Sequence, residues 1–174
     1  MPPQAVFLTH LVFGYVAALL CFGAYILPRL RSMDPVQAQR VIATVHSFRF
    51  FGLVFILPGV VGSGLPERFS LFAAYGDFAT GVLAILALLT VRTRRPFWLF
   101  VVAFNLVGIL DLVVDYADAV AVGLPDKAGE LGAAYAIPIL YVPMLMITHL
   151  YAFYRLMPSR PKAGQAIAGG MAAP

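Results

Sequence analysis

The sequence predicts an all-α integral membrane protein with a bundle of about five transmembrane helices, and three observations predict it. The chain of 174 residues is 61% hydrophobic and only 11% charged, whereas soluble domains carry about 25% charged residues. Its apolar residues gather into five runs of at least 18 residues, the length a helix needs to cross a hydrocarbon core of about 30 Å. Its basic residues collect in alternate loops, as the positive-inside rule requires of a multi-pass protein.

The first run extends from about Ala5 to Leu27 and is closed by Pro28. Gly14, Ala17, Cys21 and Ala24 fall on one face of it, a small-residue seam suited to close helix packing. Cys21 is the single cysteine, so no intrachain disulfide exists. The second run covers about Val41 to Val61 and ends at the Gly62-Ser63-Gly64-Leu65-Pro66 turn. The third, about Phe69 to Val91, sets Ala73, Gly76, Asp77, Thr80, Gly81, Ala84 and Ala87 on one face, which predicts a central helix with Asp77 against its neighbours. The fourth runs from about Phe97 to Val114 and can continue to Val122. The fifth covers about Leu131 to Met157, with a kink expected near Ile139 because Pro138 and Pro143 each lack a backbone donor.

Loop charge sets the orientation. Arg29, Arg31 and Arg40 lie between runs one and two, Arg92, Arg94 and Arg95 between runs three and four, and Arg155, Arg160 and Lys162 at or after the end of run five. With five spans all three groups fall on one side, giving an outside N-terminus and a cytoplasmic C-terminus. Residues 1–157 then form the transmembrane domain. Residues 158–174, rich in Pro, Gly and Ala, are expected to be a mobile cytoplasmic tail. The net charge of +4 is spread between apolar runs, which argues against a nucleic-acid partner.

Ionisable groups inside spans carry the functional information, because each costs about 2.5–3.5 kcal/mol at a helix centre on insertion scales. His46 and His149 each lie six residues from the cytoplasmic ends of their runs, about 9 Å deep at 1.5 Å per residue. Arg49 lies one turn deeper than His46 on the same face, and these three make a cluster in the cytoplasmic half. Asp77 and Asp111 fall at matching depth in the outer half. Asn105, Gly108, Asp111 and Asp115 share one side of run four. The ligand-binding or proton-path candidates are therefore His46, Arg49, Asp77, Asn105, Asp111 and His149. In one reading Arg49 pairs with Asp77 or Asp111 and only fixes helix register. In a second the same groups line a path for a proton or small solute.

A third reading makes His46 and His149 axial ligands of a haem b, with Phe48, Phe50, Phe51 and Tyr141 around the porphyrin, and hence an electron-transfer protein. The expectation is that no cofactor is bound, since two histidines at one depth are a single ligand pair. His10, Asp77 and Asp111 have ligand types that suit a transition metal, but nothing in the spacing unites them. No nucleophile elbow, HExxH, CxxC or phosphate-binding glycine loop is present, and the protein reads as non-enzymatic.

Three stretches occur together: Phe48-Arg49-Phe50-Phe51-Gly52, then Ala74-Tyr75-Gly76-Asp77 with Thr80-Gly81, then Phe104-Asn105-Leu106-Val107-Gly108 with Asp111-Leu112. With Pro143 and His149 they resemble a class of uncharacterised small bacterial polytopic membrane proteins. The resemblance implies a bacterial cytoplasmic membrane and brings no activity. The expected function is binding or conducting a small solute or proton at a buried polar site, or service as a small accessory subunit. Lipid is the expected partner, with self-association or other membrane subunits along the long apolar perimeter.

Overall fold

Local sequence explains where the second segment starts. Asp34 caps the first turn of a helix at Pro35–Ser47, accepting from Val36 N at 2.9 Å and Gln37 N at 3.0 Å, while Pro35 occupies a position whose N–H has no intrahelical partner. The computed structural model describes residues 1–157, and the expected tail at 158–174 lies outside them. The described residues are helical throughout their regular elements: α1 (Pro3–Ser32), α2 (Pro35–Ser47), a 3-10 segment (Phe48–Ile56), α3 (Glu67–Leu89), α4 (Arg94–Ala121), a broken 3-10 stretch (Leu124–Tyr135) and α5 (Ile137–Leu156). Four of these, α1, α3, α4 and α5, are long and apolar enough to cross a membrane.

Three boundaries differ from expectation. Pro28 does not close the first helix. A π turn at Phe22–Ile26, closed by Leu27 N donating to Phe22 O, precedes it, and the widened turn accommodates the proline ring so that the helix continues to Ser32. The second run is not one long helix. It becomes 3-10 at Phe48, where the segment lies so close to α3 that a Cβ on Gly81 would sit 2.9 Å from Phe50 N. The fifth run starts as irregular 3-10 structure, with Gly132 at φ 51°, and becomes a long helix only at Ile137. The expected kink is present as a second π turn, Ile137–Tyr141.

Pro143 removes the donor that Ile139 O would otherwise meet. Gly14 of α1 packs directly on that carbonyl, at a place where a Cβ would overlap the oxygen. The inward face of α1 is Phe7, Gly14, Ala18 and Phe22. Of the expected seam only Gly14 is buried, and Ala17, Cys21 and Ala24 are exposed. α1 docks through bulky anchors, such as Phe22 edge-on to Tyr151 at 5.6 Å, rather than through a ladder of small residues. The expected face of α3 is buried at Ala73, Asp77, Thr80, Gly81, Ala84 and Ala87, and α3 packs on α2, the 3-10 segment and α4.

The two ends of the bundle differ in charge. At one end Arg155 of α5 donates to Leu30 O at 3.2 Å and Met33 O at 3.1 Å, capping α1, and Pro35 shares a recess with Arg92 and Arg94. At the other, Glu130 accepts from Gly64 N at 2.8 Å through its side chain and from Gly62 N at 2.7 Å through its backbone. There too Arg68 faces Asp118 at 3.9 Å and His10 Nδ1 meets Tyr135 OH at 2.9 Å. The exposure pattern is inverted relative to a water-soluble protein. Phe13, Leu99 and Leu110 are 67%, 67% and 63% exposed, whereas Arg49, His46 and His149 are 0% exposed.

Candidate functional site

Two apolar cores leave a polar layer between them. One gathers Phe22, Ile42, Phe97 and Tyr151 toward the basic end, and the other Phe7, Phe55, Phe69 and Leu131 toward the acidic end. Asp77 lies between Ala74 and Ala84 on α3, and Asn105 and Asp111 follow Phe104 on α4. The first residues of the 3-10 segment carry Arg49 into this layer.

Arg49 is the hub. Its Nε donates to Asp77 Oδ1 at 2.6 Å, and one terminal nitrogen is shared between Asp77 Oδ1, at 2.5 Å, and Asp111 Oδ2. The other donates to Gly108 O at 3.2 Å and faces His149 Nε2 at 3.3 Å. The fork is thus fully used. Either aspartate was expected to pair with Arg49, and both do. The two half-membrane clusters inferred from depth are therefore a single cluster.

The hydrogen-bond order assigns tautomers. Asn105 Nδ2 donates to Val101 O at 2.8 Å, so its Oδ1 accepts from His149 Nδ1 at 2.9 Å, which leaves the Nε2 lone pair for Arg49. Thr148 Oγ1 donates back along α5 to Met144 O at 2.8 Å, so it accepts from His46 Nε2 at 3.0 Å. His46 Nδ1 and Asp111 Oδ1 are buried without a hydrogen-bond partner among the described residues, as is Asp115 Oδ1 one turn further along α4. All six sequence candidates meet in this network.

Glycines shape the layer. A Cβ at Gly52 would overlap the Asp77 side chain, one at Gly76 the Asp111 carboxylate, and one at Gly108 both His149 Nε2 and Arg49. In the sequence Gly52 stands out only within a longer motif and Gly76 also on the small-residue face of run three, and the role of each appears once the partner helices are in place. Thr148, beside His149, and Tyr135, the partner of His10, carry no spacing signal of their own in the sequence.

The rings of His46 and His149 have centroids 3.8 Å apart with planes tilted by 36°. A porphyrin ligated by both would have to lie between rings that are already in contact. Phe48, Phe50 and Phe51 are exposed on the outer surface instead of surrounding that pair. His10 is held at Tyr135, away from Asp77 and Asp111, and no group of three His, Cys, Asp or Glu among the described residues is arranged to hold a metal ion.

A family model described as "Domain of unknown function (DUF8737)" matches residues 6–157. No curated protein and no solved structure matches the chain.

Proposed function

We propose that this chain, which belongs to the DUF8737 family of unknown function, is a non-enzymatic, five-pass protein of the bacterial cytoplasmic membrane that moves protons or a small solute through its buried polar layer. The observation that carries the reading is the excess of buried acceptors around one saturated cation. Arg49 is fully engaged, yet Asp111 Oδ1, His46 Nδ1 and Asp115 Oδ1 lack partners among the described residues. A cluster that served only to fix register would gain from satisfying every member. Along α4, Asn105, Asp111, Asp115 and Asp118 form a polar stripe from this layer to the acidic end. Such stripes of ionisable side chains line proton and solute routes in membranes. Service as an accessory subunit is compatible with the same site, with the exposed apolar perimeter as the contact surface.

The functional test is proton flux. Proteoliposomes holding a pH-sensitive dye should dissipate an imposed pH gradient at least tenfold faster than empty vesicles, and Asp111→Asn should remove most of the gain. Flux at the empty-vesicle rate would overturn the proton reading, and a Soret band in the purified protein would promote electron transfer in its place.

The fifth crossing in this proposal is α2 with the 3-10 segment, and the Arg-rich end lies in the cytoplasm with the N-terminus outside. A reporter fused after Ala173 should be active only in its cytoplasmic form. Periplasmic activity from that fusion would refute the topology.

A further inference from the structure

A cavity of about 140 Å³ lies between the first turns of α1 and α3 and the last turns of α4. Its wall is apolar and aromatic, with Phe7, Phe55, Phe69 and Tyr116 contributing rings. Asp77 and Asp115 are its acidic groups. The Tyr116 hydroxyl is engaged with Tyr15 OH at 2.6 Å. Arg49 has no donor left over, since its fork is taken by Asp77, Asp111, Gly108 and His149. Asp115 Oδ1 is buried with no hydrogen-bond partner among the described residues. When ionised, the Asp115 carboxylate at the cavity wall only accepts, so an occupant that meets it must donate.

Charge points the same way. Asp77, Asp111 and Asp115 face a single guanidinium, so the fully ionised group is two positive charges short. Aromatic faces attract cations, most strongly where water is excluded. The volume is close to the roughly 150 Å³ of an engineered cavity that takes up benzene. We propose that this cavity binds a monovalent organic ammonium with a compact apolar body, its N–H groups on Asp115 and Asp77 and its body among the phenylalanines. This names a solute class for the site proposed above and rests on that reading.

Benzylammonium is a suitable probe, with benzyl alcohol as a neutral analogue of nearly equal shape. Calorimetry on the full chain in detergent should give at least tenfold tighter binding for benzylammonium. Asp115→Asn should abolish that preference while leaving benzyl alcohol binding unchanged. Ala119→Phe, which fills the cavity from α4, should abolish binding of both, with size-exclusion behaviour reporting that the variant remains folded. Equal affinity for the two probes, or a preference that survives Asp115→Asn, overturns the proposal, and the asparagine arm decides if the filled variant does not fold. Proton flux in vesicles without any benzylammonium binding would refute this inference alone. Absence of both would refute the conduction reading as well.

Discussion

Arg49→Leu should destabilise the folded protein by about 3–5 kcal/mol, the range for removing one member of a buried ion pair. The cost has a definite origin. The leucine leaves Asp77 and Asp111 facing each other in an interior from which their shared donor is gone. Neutralising the stranded groups should then recover stability. Arg49→Leu with Asp77→Asn and Asp111→Asn should be more stable than Arg49→Leu alone. Each Arg–Asp pair should show coupling of about 0.5–3 kcal/mol in a double-mutant cycle. Denaturation in mixed micelles, followed by far-UV circular dichroism, reads these differences. Additive effects at both aspartates would mean that the network is not what holds the helices in register.

Gly108→Ala should have the opposite sign from ordinary helix propensity. In a helix interior alanine is favoured over glycine by about 1 kcal/mol. At Gly108, however, the new methyl group would fall on His149 Nε2 and 2.7 Å from an Arg49 terminal nitrogen, and both of those side chains are fully buried and engaged. Overpacking of this kind costs about 1–3 kcal/mol, so a net loss is expected. Gly23→Ala supplies the contrast, because nothing lies within 4 Å of its added Cβ and the substitution should be neutral or stabilising. If both substitutions shift the denaturation midpoint in the same direction, the close approach at Gly108 is not energetically significant. The Gly108 variant should also perturb the His149 environment, visible as a changed imidazole resonance.

Run length and composition place both ends of α3 within two residues and the start of α4 within three, whereas the apolar part of run four stops at Val114 and only its continuation to Val122 meets the end of α4 at Ala121, because the last turns of that helix carry Asp115 and Asp118. The same signals misplace the end of α1 and the character of the second run. Hydropathy records what a segment is made of, whereas π turns and 3-10 structure record which carbonyl meets which N–H. The inward face of α1 is misread for a related reason. Small residues mark where a close approach is permitted, and among the described residues Ala17, Cys21 and Ala24 stay exposed.

The site is more legible than the fold around it. His46, Arg49, Asp77, Asn105, Asp111 and His149 stand out because each is costly in an apolar run, and all six prove to be neighbours. Their division into two depths fails because depth was counted along straight α-helices. Backbone depth also leaves out side-chain reach, and the long Arg49 side chain spans the gap to Asp77 and Asp111. The ring contact between the histidines depends on helix rotation, which spacing within one segment does not determine.

The order in which the cluster is built has its own consequence for biogenesis. Arg49 precedes Asp77 by 28 residues and Asp111 by 62. At about 5–20 residues per second, the first carboxylate emerges from the ribosome about 1–6 s after the arginine and the second about 3–12 s after it. With the membrane insertion proposed above, the nascent chain then carries for that interval an uncompensated guanidinium in a segment that is not a long apolar helix. Its retention then depends on lipid headgroups, the insertion machinery or delayed entry. Substitutions at Asp77 and Asp111 would prolong this vulnerable stage, and their first visible effect in cells would be faster turnover by membrane proteases.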